Sequence, residues 1–134
     1  MKILIGPSVV YNIISKKLGH GMVSITAYRL IFWLLLAVVA LLSMMSLDSP
    51  RQLFFCQDKL YHLLAYGVLF WCLLGGYAQQ HRVWVLAMSL AVFSGLVEVA
   101  QSCTGYRQAD LLDLVANCIG ILLVGLFYLL RRRL

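Results

Sequence analysis

The chain has 134 residues, the length of one domain. Of these, 63% are hydrophobic and the mean hydropathy is +0.91, against roughly 45–50% apolar usage in soluble domains. Only 12% are charged, yet the formal net charge is +6. This excludes a soluble enzyme and a nucleic-acid-binding module, which needs charge-rich exposed faces, and assigns the Lys/Arg excess to membrane orientation and anionic headgroups.

Residues 1–24 read as an amino-terminal segment outside the membrane domain. Pro7 interrupts the first apolar stretch and no small-residue cleavage site follows, so Met1 to Gly21 does not have the form of a secretory signal. Val9, Val10, Ile13, Ile14 and Leu18 recur at helical spacing with Asn12, Ser15, Lys16 and Lys17 between them. That pattern fits a short helix lying in the headgroup region. A disordered leader, or translation starting at Met22, fits it as well. Gly19-His20-Gly21 would then be a hinge.

Residues 25–134 read as an all-α integral membrane domain, an antiparallel bundle of four transmembrane helices. The expected spans are about 30–47, 60–78, 83–100 and 111–130. At 1.5 Å per residue, an 18-residue run covers about 27 Å, close to the hydrocarbon thickness. Tyr28 and Arg29 introduce the first span, and Asp48-Ser49-Pro50 ends it. A loop with Arg51 leads to the second. Gln79-Gln80-His81-Arg82 is a tight turn into the third, residues 102–108 with Gly105 and Arg107 form the next loop, and Arg131-Arg132-Arg133 stops the fourth. Connections this short force neighbouring helices to run antiparallel.

Cys56, Cys72, Cys103 and Cys118 show no zinc-like spacing. Cys72 and Cys118 fall inside apolar runs as small packing residues. Cys56 and Cys103 fall in loops on one side, where an oxidising compartment would allow a disulfide or leave two idle thiols.

Lys2, Lys16, Lys17, Arg29, Arg82 and Arg131 to Arg133 put eight basic residues on one side, and Arg51, Lys59 and Arg107 put three on the other. The positive-inside rule then predicts both termini of a multi-pass membrane protein in the cytoplasm. The same alternation carries all five acids, Asp48, Asp58, Glu98, Asp110 and Asp113, to the outer face. Asp58, His62 and Tyr66 fall at i, i+4 and i+8; Glu98 and Gln101 at i and i+3; Asp110, Asp113 and Asn117 at i, i+3 and i+7. Ser94 and Gly95 below Glu98, and Gly120 below Asn117, would let backbones approach closely. Because a charge at the bilayer centre costs about 2.5–3.5 kcal/mol on insertion scales, Glu98 and Asp113 are expected to face the bundle interior.

Such a set has a structural use, since interhelical hydrogen bonds among Asp, His, Gln and Asn hold membrane helices together. Three chemistries fit it as a site. His62 with Asp58, Glu98, Asp110 or Asp113 would offer nitrogen and oxygen ligands to a divalent cation, although no HExxH-like spacing is present. His62 paired with Glu98 or Asp113 would serve as general acid or base. Arg107, Lys59 and the amides near Gly105 would grip a phosphate or carboxylate at headgroup depth. No phosphate loop or nucleophile elbow accompanies them, so the residues leave open whether the site is catalytic and whether a metal binds.

The ordered set Asp58-Lys59-xx-His62-xxx-Tyr66-Gly67, Glu98-xx-Gln101 and Arg107-xx-Asp110-xx-Asp113-xxx-Asn117-xx-Gly120 resembles the VanZ-like family of small bacterial membrane proteins, over roughly Met22 to Leu130. The resemblance implies a polytopic inner-membrane protein of the bacterial envelope, in a family named for a teicoplanin-resistance protein. It implies functional roles for Asp58, Lys59, His62, Tyr66, Glu98, Gln101, Arg107, Asp110, Asp113 and Asn117. The expected function is an outward-facing polar cleft that binds an amphiphilic envelope molecule, a lipid-linked precursor or a lipoglycopeptide, among membrane lipids. The alternatives are a membrane-embedded acid–base or metal-assisted hydrolase or transferase, with His62, Glu98 and Asp113 catalytic, and a structural membrane subunit.

Overall fold

The structure is a computed structural model that describes residues 25–44, 57–103 and 110–133. Four α-helices make it up: α1 (Ile25–Met44), α2 (Gln57–Tyr77), α3 (Val83–Ser102) and α4 (Leu111–Arg131). Each has at least 20 residues and is apolar enough to cross a membrane, so the protein is a four-span helical membrane protein. Large side chains such as Leu30, Leu34, Leu41, Trp84, Leu96 and Leu122 are exposed, which is what lipid-facing surface requires. The interfacial helix or leader expected over residues 1–24 and the loop containing Asp48, Arg51 and Cys56 lie outside the described residues, as does Arg107.

Helix boundaries follow local chemistry. Ala78 to Arg82 is all that joins α2 to α3, with Ala78, Gln80 and His81 amides bonded back to Leu74 and Tyr77 carbonyls at 2.9–3.0 Å. That turn makes the pair antiparallel. At α4 the Asp110 side chain caps the first turn, accepting from the Leu112 amide at 2.8 Å. α1 begins at Ile25, earlier than the span expected from Leu30, so Tyr28 and Arg29 are helical and not flank. The reason is tertiary: the Arg29 Nε donates to the Gly76 carbonyl near the C-terminus of α2 at 3.0 Å, and its guanidinium sits 4.7 Å from the Tyr77 ring.

α2 is the centre of the bundle. It packs most extensively on α4, then on α1, and also touches α3. α3 lies against α4 and, less, against α1; among the described residues α1 does not approach α4. The apolar core is Phe32 of α1, Tyr66, Leu69, Phe70, Leu73 and Leu74 of α2, Leu86 and Leu90 of α3, and Ile121 of α4. Cys72 is buried beside it, and Cys118 is half-buried, as packing residues would be.

The α2–α4 crossing depends on one glycine. A Cβ on Gly120 would run into the Leu63 carbonyl oxygen and stand 3.2 Å from the Gly67 amide nitrogen, so the two backbones touch there. Gly95 differs from expectation: a Cβ there meets nothing within 4 Å, so it makes no close approach. One residue along a helix turns the face by about 100°, and Ser94, not Gly95, points inward.

Charge divides between the two ends. Arg29, Arg82 and Arg131 to Arg133 lie at the end formed by the α1 and α3 N-termini and the α2 and α4 C-termini. The opposite end carries Asp58, Lys59, His62, Glu98, Asp110 and Asp113.

Candidate functional site

Three helices deliver the polar residues to that end. The first three turns of α2 supply Asp58, Lys59, His62 and Tyr66, the last three turns of α3 supply Ser94, Glu98 and Gln101, and the start of α4 supplies Asp110, Asp113 and Asn117. Glu98 is 7% exposed, Asp113 3%, Tyr66 2%, Asn117 1% and Ser94 0%. All five therefore face the bundle interior, as a low-dielectric surround demands of polar groups.

Lys59 is the hub. Its ammonium pairs with Asp110 Oδ2 and Asp113 Oδ1 and lies 3.0 Å from Asp58 Oδ2. The helical period predicts Asp58, His62 and Tyr66 on one face. In the structure Lys59 and His62, at i and i+3, reach α4, Tyr66 lies against Ser94 of α3, and the Asp58 side chain is 40% exposed at the rim. Asp110, outside the spans, has its carboxyl held below the ordinary value by the Lys59 ammonium and then by the Leu112 amide.

Deeper in, Asp113 Oδ2 lies 3.5 Å from His62 Nε2 and His62 Nδ1 lies 3.2 Å from Asn117 Oδ1. Asn117 Nδ2 donates to Ser94 Oγ at 2.7 Å, and the Tyr66 hydroxyl lies against Ser94, with Glu98 close by. Three helices are thus joined by one continuous polar chain from the rim to the buried serine. Among the described residues no buried side-chain nitrogen or oxygen lacks a partner, so the chain is a fully satisfied network.

Gln101 is turned to α1: its Nε2 donates to the Ser43 carbonyl at 2.8 Å and ties α3 to the end of α1. The sequence selection missed two residues. Ser94 reads as a small residue that admits a neighbour, yet it is the α3 anchor of the network; its signal is its place four residues before Glu98, on the same face. Gln57, buried at the start of α2, donates to the Tyr61 hydroxyl at 2.6 Å and gave no signal beyond its position before Asp58. The Cys56–Cys103 pairing rests on Cys56, and the proposed anion grip on Arg107, both outside the described residues.

His62, Glu98 and Asp113 each offer one metal-ligating atom, all within 4.8 Å of one another. The arrangement can do three things: hold a cation through those atoms, shuttle a proton through His62, or pair with a charged headgroup through Lys59 and the rim acids. A separate apolar cavity of about 380 Å³, lined by Phe32, Leu36, Leu73, Tyr77, Leu90 and Phe93 among others, opens nearer the arginine-bearing end and is no part of this site. Compared with protein-family models, curated proteins and solved structures, the chain matches none.

Proposed function

We propose that the chain is a VanZ-like inner-membrane protein whose polar pocket receives the charged head of an amphiphilic envelope molecule, a lipid-linked precursor or a lipoglycopeptide, with a bearing on teicoplanin susceptibility. The observation that carries it is the Lys59–Asp113–His62–Asn117–Ser94 chain, half-buried at Lys59 and His62 and buried at the other three, within one end of a bundle whose outer walls are apolar. A head entering from the rim would meet Asp58, Asp110 and Lys59 while its tail stays against lipid-facing helices. The arginine-bearing end supports a cytoplasmic placement of that end, which turns the pocket outward.

Native mass spectrometry of the detergent-purified protein tests this. A lipid-class adduct should accompany the wild type and be lost in Asp113→Asn and Lys59→Met variants that keep wild-type helicity. Equal adduct in all three would remove the pocket from the binding. One observation favours a second reading, a hydrolase or transferase acting on the same molecule: His62 stands between Asn117 and Asp113, as an oriented general base does. If His62→Ala keeps the adduct but abolishes turnover of a lipid-linked substrate, catalysis is the better account.

A further inference from the structure

We propose that His62, Glu98 and Asp113 together hold one divalent transition-metal cation, of the zinc or manganese kind. They come from three different helices, α2, α3 and α4, and their ligating atoms already fall within 4.8 Å of one another inside the bundle. Metal–ligand distances of about 2.0–2.2 Å need only a small rotation of side chains to close that set. One imidazole and two carboxylates suit zinc or manganese better than calcium or magnesium, which take oxygen alone.

Hydrogen bonding around the imidazole points the same way. Asn117 Nδ2 donates to Ser94, so Asn117 presents its oxygen to His62 Nδ1, and that nitrogen carries the proton. The lone pair of a neutral imidazole is then on Nε2, which faces Asp113 Oδ2 across 3.5 Å. A cation between the two would be bound by both. An Nε2 proton would also serve, and the experiment separates the two. Asp113 divides its oxygens accordingly: Oδ1 takes the Lys59 ammonium and Oδ2 is turned to the imidazole. An imidazole fixed by an amide on its far nitrogen, and a carboxylate fixed by an ammonium, are the supports that metal ligands use. Among the described residues Lys59 pairs with Asp58, Asp110 and Asp113, and Glu98 stands with Asp113 and His62.

The cation is measured on the protein alone and stands whether or not an amphiphile binds. Detergent-purified wild type, stripped with a chelator and titrated with Zn²⁺ or Mn²⁺ alone, should take up one equivalent per chain, and X-ray absorption should show nitrogen and oxygen neighbours with one imidazole. His62→Ala and Glu98→Gln should lose that equivalent. Asn117→Ala, which touches no metal, should weaken it by about 10–100-fold, and Gln80→Ala, exposed in the turn at the opposite end of the bundle, should leave it unchanged. Circular dichroism of each variant separates lost binding from lost folding. Absence of a stoichiometric ion in the wild type, or binding by folded His62→Ala equal to wild type, overturns the proposal and leaves an imidazolium–carboxylate pair in its place.

Discussion

Lys59 shows what a single side chain does in this molecule. It joins Asp58 on its own helix to Asp110 and Asp113 on α4, and Asp113 is nearly inaccessible. Replacing Lys59 by Met strands a buried carboxylate, so the variant should lose about 3 kcal/mol in reversible detergent unfolding, the low end for breaking one side of a buried pair. Adding Asp113→Asn should restore part of the loss, which a double-mutant cycle reads as coupling. Asp110 predicts a pH effect of definite sign. Its carboxyl is depressed below 3.8, so the stability it contributes is present above that value and is lost as pH falls through the depressed one. Thermal unfolding should therefore show a decline below about pH 4 that is smaller in Asp110→Asn. Had Lys59 been neutral to stability, neither result would appear.

At the scale of elements, helix contacts are set by a few backbone approaches. Gly120→Ala drives a methyl against the Leu63 carbonyl, and backbone cannot turn aside as a side chain can; α2 and α4 must part. The expected cost is about 1–3 kcal/mol, together with weakening of the His62–Asn117 bond one turn away. Gly67→Ala meets only Val124 Cγ2 at 3.5 Å and the Gly120 carbonyl oxygen at 3.7 Å, ordinary contacts, and should be nearly silent. Comparing unfolding of the two variants checks the crossing, since equal losses would mean that glycine content and not contact decides. At the other end, Arg29 and Trp33 of α1 clamp Tyr77 through the stack and a 3.0 Å bond from Trp33 Nε1 to the Tyr77 hydroxyl. This clamp is why α1, with Phe32 as its one buried residue, stays docked on α2.

Among the described residues the bundle is dipolar, arginines at one end and carboxylates at the other. The proposed placement of the arginine end in the cytoplasm would put the exposed Cys103 thiol on the outer side of the membrane. A membrane-impermeant maleimide added to intact cells should label Cys103 in a variant whose other cysteines are replaced, and should leave His81→Cys in the same background unlabelled until the cells are opened. The reverse pattern would turn the pocket towards the cytoplasm and end the proposal of an envelope ligand. What the sequence alone determined is the large-scale order: four spans, because hydrocarbon accepts only long apolar helices with their backbone bonds satisfied, and polar residues at the span ends, because ionised groups are costly deeper in. The 3.6-residue period also put His62 with Tyr66 and Asp113 with Asn117 on shared faces. Only the tertiary structure decided that Lys59 and not Asp58 turns to α4, that Ser94 anchors the network while Gly95 faces open space, and that Gln101 reaches α1. Periodicity fixes which residues share a face, but the rotation of each helix about its axis, set by the Gly120 contact and the packing around α2, selects the face that meets a neighbour.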